Sequence, residues 1–216
     1  MDDDKIIIYH GSNKIIKRPE FGKGDKNNDY GQGFYCTKNK GLAGEWAVLW
    51  TEQDGYINEY FFDYTGLNVL YLNQMPIENW IAVLVSNRRG DYEEEYQRRI
   101  RFFIDKFSLD ISKYDVIEGW RADDAFFRYV ENFFALALSV EKIKEALKFG
   151  DLGNQICLKT ERAFEVIQYK TNYPASSLRF LKPAQERDMN AKRQYRIMGD
   201  KTIGTLLVDL IGRENL

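Results

Sequence analysis

Short apolar runs separated by polar, glycine-bearing stretches dominate the chain, and the period of each run predicts its element. Lys5–Tyr9 (KIIIY) is β-branched and brief, which predicts a buried strand ended by His10-Gly11-Ser12. Pro19–Gln32 carries three glycines among Lys, Asp and Asn and reads as a loop. Gly33–Thr37 (GFYCT) predicts a second strand, and Thr37 a cap for a helix with Leu42, Trp46 and Leu49 on one face. Tyr56–Tyr64 and Leu67–Leu72 predict strands, and Pro76 opens a helix through Trp80 and Leu84. Asp91–Phe107 sets Ile100, Phe103, Ile104 and Phe107 against a charged face, as a surface helix does. Tyr114–Gly119 predicts a strand. Asp123 or Asp124 caps an aromatic helix, and Ser139 caps another that ends at Gly150. Gln155–Lys159 (QICLK) predicts a late strand, and Thr160 caps the helix after it. Ala184–Leu216 reads as two short helices around Met198-Gly199-Asp200. Strands and helices mixed without regular alternation predict an α+β fold. With no repeat and no Pro/Ser-rich hinge, the expected organisation is one domain over 1–183 with a helical extension over 184–216 packed on it.

Composition narrows the chemistry. At 216 residues the chain supports one sizeable core. The balance of 31 Lys+Arg against 33 Asp+Glu gives a net charge of −2, which argues against a strongly basic nucleic-acid glove. Aromatic residues reach 15%, whereas His10 is the single histidine, so imidazole chemistry has one place to be. One His and two Cys do not build a His-rich zinc centre or a four-cysteine site. Cys36 and Cys157 read as buried free thiols in a reducing compartment. The acidic start MDDDKIII lacks the basic region of a signal peptide, and nowhere are there 18 consecutive apolar residues. A cytoplasmic protein without membrane contact is the expectation.

Three pieces place a polar or aromatic residue on an otherwise buried strand. In Tyr9-His10-Gly11-Ser12 the glycine lets a ligand approach the backbone beside an imidazole, although a capping His with a turn glycine explains the same letters. In Tyr30-Gly31-Gln32-Gly33-Phe34-Tyr35 two glycines lead into a strand whose aromatics fall on opposite faces, one toward the core and one toward a cleft. An ordinary glycine-rich turn reads the same way. In Asn154-Gln155-Ile156-Cys157-Leu158 the Gln155 amide can meet a ligand hydroxyl, or simply face solvent.

Taken in order, YHGS, GQGFY and a late strand led by Gln resemble the ADP-ribosyltransferase superfamily. The likeness is to its diphtheria-toxin and poly(ADP-ribose) polymerase branch, whose signature is His, Tyr and Glu on three strands. Trp46, eleven residues beyond Tyr35, corresponds to that branch's second aromatic. The chain is also similar to a bacterial family of ADP-ribosyltransferase-like proteins with YHGS, GxGFY, a tract like YDVIEGWRADD and a QICxxT strand, over roughly Ile6 to Ile167. The resemblance implies a split antiparallel sheet with surrounding helices, and an NAD-dependent mono-ADP-ribosyltransferase with NAD as substrate and no metal. His10, Tyr35 and Gln155 would be the catalytic signature. His10 would orient the adenosine ribose as a donor, and Gly11 with Ser12 would hold the carboxamide or ribose. Tyr35 and Trp46 would sandwich the nicotinamide. Gln155 stands where the branch has Glu, so it accepts a hydrogen bond but brings no negative charge. Asp123, Asp124 or Glu161 are the candidate substitute carboxylates, with Asp124 counted among the NAD-binding residues; helix capping and first-turn charge are the alternative, preferred for Glu161 and left open for the Asp pair.

The acceptor is weakly encoded. Basic clusters occur at Arg88-Arg89, at Arg98-Arg99 with Arg101, and at Lys192-Arg193 with Arg196; a solvated helix face explains the last better than nucleic-acid binding does. A loop with Lys14, Lys17, Arg18, Lys23 and Lys26 can steer a pyrophosphate or a nucleic-acid acceptor. The expected partners are NAD, a protein or nucleic-acid acceptor and, because such relatives are often toxins, a neutralising antitoxin protein. Ile203, Leu206, Leu207, Leu210 and Ile211 at helical spacing predict packing on the chain's own core. The rival expectations are a catalytically inactive member that binds NAD or ADP-ribose, and a protein-interaction domain without a ligand site.

Overall fold

The computed structural model describes residues 5–88, 94–122, 124–149 and 153–216, and for 124 and 125 the backbone only. The strands are β1 (Lys5–Ser12), β2 (Phe34–Cys36), β3 (Gly55–Asp63), β4 (Val69–Tyr71), β5 (Val116–Trp120), β6 (Asn154–Leu158) and β7 (Gln168–Ala175). The helices are α1 (Lys40–Leu49), α2 (Ile77–Asn87), α3 (Glu94–Phe107), α4 (Asp124–Phe134), α5 (Val140–Ala146), α6 (Glu161–Glu165), α7 (Ser177–Ile197) and α8 (Leu207–Ile211). Mixed helices and strands in irregular order match the α+β expectation. Among the described residues no helix is long and apolar enough to cross a membrane.

Two sheets form, with orders β1-β3-β7 and β2-β6-β5-β4. All pairings are antiparallel except β4 with β5, which is parallel, so an entirely antiparallel core is corrected here. One isolated bridge, Tyr9 with Thr37, joins β1 to β2.

The main apolar cluster gathers α2 to α5 around Trp80, Phe103, Phe126, Phe133 and Phe134, each at most 1% exposed. Leu207 and Ile211 of α8 complete it, as the spacing of the tail predicts. Ile203 of that set is instead exposed. A second cluster lies between the sheets around Ile8, Tyr60 and Phe62. Cys36 and Cys157 are buried free thiols; burial pushes the Cys157 thiol up to about 12.

Several boundaries differ from the sequence reading. β1 runs on to Ser12, so His10 and Gly11 lie inside a strand and not after it. Asn39, not Thr37, caps α1, its Oδ1 accepting from the Leu42 amide at 3.1 Å. Thr160 precedes α6 but gives its hydroxyl to Asp115 at 2.5 Å. β7 is unforeseen because QYKTNYPA is polar and carries Pro174, whereas its pairing partner β3 is largely buried and supplies the apolar side. Two helices flank Met198-Gly199-Asp200 as expected, but the first begins before Ala184 and is long, 21 residues, and the second is α8. α7 continues through Pro183, so the expected domain boundary at 183/184 falls inside a helix. Asp91, Arg89, the Gly150 helix end and Asp123 lie outside the described residues.

Candidate functional site

The site begins where the two sheets part. Tyr9 and Thr37 exchange both backbone hydrogen bonds, at 2.8 and 2.9 Å, and no further bridge joins β1 to β2. Successive residues of a strand point their peptide groups to opposite sides. Gly11 and Tyr35 therefore turn theirs toward the gap that opens beyond the bridge. His10 Nδ1 fills part of it, 2.7 Å from the Tyr35 carbonyl oxygen. The imidazole stacks on Phe34, with centroids 4.3 Å apart at 29°.

That contact fixes the tautomer. A carbonyl only accepts, so Nδ1 carries the proton and Nε2 presents a lone pair. Burial lowers the His10 pKa, which the Tyr35 carbonyl partly offsets, and keeps the ring neutral at pH 7. The expected donor role of His10 does not fit this geometry: the ring's proton is spent on the Tyr35 carbonyl, and Nε2 is left as an acceptor. Gly11 has a packing reason as well, since a Cβ there would sit 1.9 Å from the Ala43 carbonyl oxygen of α1.

Tyr35 is held at both ends. Its hydroxyl donates to the Gly31 carbonyl at 2.6 Å and accepts from the Tyr30 amide at 2.9 Å. Burial pushes its pKa far up, so it stays a neutral phenol. Its ring stacks on Tyr30 at 6.4 Å and 23°. The half-buried Lys159 ammonium ties the same loop down, donating to the Tyr30 and Gln32 carbonyls at 2.5 and 2.8 Å. Gly31 adopts φ +73°, where a Cβ would also strike Asn87 Oδ1 at 2.5 Å.

Gln155 is the second residue of β6 and is 4% exposed, which removes the solvent-facing alternative. Its Nε2 donates to Asp29 Oδ2 at 2.7 Å and to the Trp120 carbonyl at 3.4 Å. Asp29 is itself 5% exposed. Its Oδ2 also accepts from the Ala122 amide at 2.9 Å, and its Oδ1 pairs with Arg88 Nε at 2.8 Å. Burial raises the Asp29 pKa, and Arg88 with the two donors pulls it back. Sequence reasoning missed Asp29, which is one Asp in a polar loop; the carboxylate beside Gln155 comes from there.

Trp46 of α1 is partly buried, and its Nε1 is buried with no hydrogen-bond partner among the described residues. The Arg121 guanidinium lies over its ring, 5.4 Å from the centroid.

These groups line one cleft of about 1060 Å³: His10, Gly11, Tyr35, Trp46, Gln155 and Asp29. In all, eight Lys or Arg and four Asp or Glu of the described residues line it, Asp29 included, a positive surplus in a chain whose net charge is −2. α7 supplies one wall, including Arg187, which Glu45 of α1 grips through both of its oxygens. Trp50, 83% exposed, is part of the lining as well. Ser12 does not line the cleft; its hydroxyl closes a turn on the Lys14 carbonyl at 2.5 Å. Glu161 is exposed in the first turn of α6, away from the cleft. The Asp124 side chain lies outside what the structure describes.

A family model described as "Protein of unknown function (DUF3990)" matches residues 6–169, and the chain belongs to that family. β7 from Tyr169's end onward and the α7 wall lie beyond the matched span. No curated protein and no solved structure matches the chain.

Proposed function

We propose that this member of the DUF3990 family is an NAD-dependent mono-ADP-ribosyltransferase of the His-Tyr-Glu type in which Gln155 takes the place of Glu. The observation that carries this reading is the gathering of His10, Tyr35, Trp46 and Gln155, scattered through the sequence, around one cleft. The split between the two sheets, with His10 and Tyr35 on its two lips, supports the split-sheet fold that the motifs resemble.

NAD suits the cleft in charge and shape. The surplus of cationic lining matches a pyrophosphate. Tyr35 and Trp46 both line the cleft, with Tyr30 stacked on the first and Arg121 over the second, and a flat electron-poor ring would stack on their remaining faces. The unpartnered Trp46 Nε1 is a buried donor that a ligand oxygen would satisfy. His10 Nε2 would accept from a ribose hydroxyl, and the Gly11 peptide groups face the same gap.

In the reaction, the bond between the nicotinamide-ribose C1′ and the pyridinium nitrogen breaks, and nicotinamide leaves as a neutral molecule with the bonding pair. C1′ becomes oxocarbenium-like. A lone pair of the acceptor nucleophile forms the new bond to C1′, and the nucleophile's proton is released. Gln155 would accept from the ribose 2′-hydroxyl as positive charge develops. A neutral amide stabilises that charge less than a carboxylate, which suits a single transfer and not chain elongation.

Incubation with labelled NAD and candidate protein and nucleic-acid acceptors tests the reading. Label transfer is expected for the wild type and lost in His10→Ala and Tyr35→Ala; transfer that survives both substitutions overturns it. The missing carboxylate favours one second reading, a binder of NAD or ADP-ribose without turnover. Calorimetry showing NAD binding with no transfer to any acceptor selects that reading, and gain of transfer in Gln155→Glu would strengthen it.

A further inference from the structure

We infer that Asp29 is a positioning residue for Gln155: its carboxylate holds the amide nitrogen inward, so the amide oxygen is the atom presented to the cleft. The inference rests on the function proposed above only for the identity of the ligand, a sugar hydroxyl.

Gln155 Nε2 donates to Asp29 Oδ2 at 2.7 Å and to the Trp120 carbonyl at 3.4 Å, and the Tyr30 hydroxyl, whose own proton goes to that carbonyl at 2.5 Å, lies beside the same amide. The carbonyl only accepts, and Oδ2 already accepts from the Ala122 amide at 2.9 Å, so each offers the amide a lone pair. Turning the amide over would set oxygen against oxygen in a buried place and leave Oε1 facing two lone pairs. Only one orientation is satisfied, and it leaves Oε1 as the remaining polar atom of a side chain that lines the cleft.

Asp29 does not rotate away. Its Oδ2 is held by the Ala122 amide at 2.9 Å as well as by Gln155, and its Oδ1 by Arg88 Nε at 2.8 Å. A buried glutamine needs only a carbonyl to be satisfied. A buried carboxylate with its own arginine is a costlier partner, and it brings something a carbonyl lacks. A charge-assisted hydrogen bond to the amide N–H draws the amide toward its dipolar form and makes Oε1 a stronger acceptor. Gln155 thus meets a hydroxyl through an oxygen, as a glutamate would, with the formal charge one hydrogen bond behind it. A cleft built so selects a hydroxyl donor at this point and rejects a carbonyl or an ether oxygen.

The test compares wild type, Asp29→Asn, Gln155→Glu and the double variant Asp29→Asn/Gln155→Glu, in which amide and carboxylate exchange places. With labelled NAD, Asp29→Asn is expected to lower kcat by about 10²–10³, the size of losing one preorganised hydrogen bond at a charge-developing centre, with little change in KM. The double variant should recover most of the loss. Asp29→Asn with wild-type kcat, or a folded double variant no better than Asp29→Asn, overturns the inference. Nuclear magnetic resonance supplies a readout that needs neither NAD nor a stable Asp29 variant. The Gln155 side-chain N–H pair, identified by its disappearance in Gln155→Glu, should exchange slowly with solvent in the wild type; exchange as fast as that of a surface glutamine overturns the inference. If the wild type neither binds nor transfers NAD, the proposed function falls, and the resonance experiment still decides the role of Asp29.

Discussion

Two tryptophans on two helices show how the core and the cleft differ. Trp80 of α2 is fully buried, and its Nε1 donates to the Tyr30 hydroxyl at 3.3 Å and the Trp120 carbonyl at 3.2 Å. Its ring meets Trp120 edge-on at 5.7 Å and Phe126 at 5.3 Å. Trp46 of α1 is partly exposed, carries Arg121 on one face, and leaves its Nε1 buried and unpartnered. Every polar atom of the first is spent on the fold. The second has one buried donor left over, which costs stability in the free protein and would be recovered if the proposed ligand supplied an acceptor. The same contrast separates the Tyr30 hydroxyl, which donates to the Trp120 carbonyl, from His10, whose Nε2 is left as an acceptor.

The largest expected effect breaks the comparison if it fails. Trp80→Ala should cost about 3–5 kcal/mol, read by denaturant unfolding, because it empties a filled aromatic cluster. Trp46→Ala should cost far less stability and lose NAD binding; equal losses of stability would place both in the core. Next, Tyr35→Phe should lower stability by about 1–3 kcal/mol, since the Gly31 carbonyl and the Tyr30 amide lose their shared partner.

The third effect concerns pH. His10 has a folded pKa below its ordinary 6.5, so folding favours the neutral ring. Its contribution to stability is complete above 6.5 and is lost as pH falls through the lower folded value. Protonation also removes the Nε2 lone pair. NAD affinity by calorimetry should therefore be flat above pH 6.5 and fall on further acidification, and His10→Ala should remove that dependence. The smallest effect marks the edge of the site: Glu161→Gln should leave transfer unchanged and shift stability by less than about 0.5 kcal/mol.

Elements whose signal is local were legible from letters alone. Ile6–Ile8, the α3 stripe through Ile100 and Phe103, and the Ser139 cap declare themselves within a few positions. β7 and α7 did not, because a polar strand with Pro174 and a helix with Pro183 take their stability from neighbours: β7 from the ladder with β3, and α7 from the packing of Phe180 and Arg187 on α1. In the cleft, the order of YHGS, GQGFY and Gln155 pointed to the residues worth watching. It did not show that His10 spends Nδ1 on Tyr35, or that Gln155 has a carboxylate behind it.

What the sequence by itself determined is which short pieces carry unusual chemistry: one imidazole, two aromatics after paired glycines, and a glutamine leading an apolar strand. What only the tertiary structure decided is the state of each. Asp29 and Gln155 stand 126 positions apart, and their 2.7 Å hydrogen bond exists because β6 and the glycine-rich loop meet beside β5. Donor or acceptor, charged or neutral, free or spent are properties of a neighbour set. Folding assembles that set from distant stretches of chain, so a pattern of letters read along the chain does not contain it.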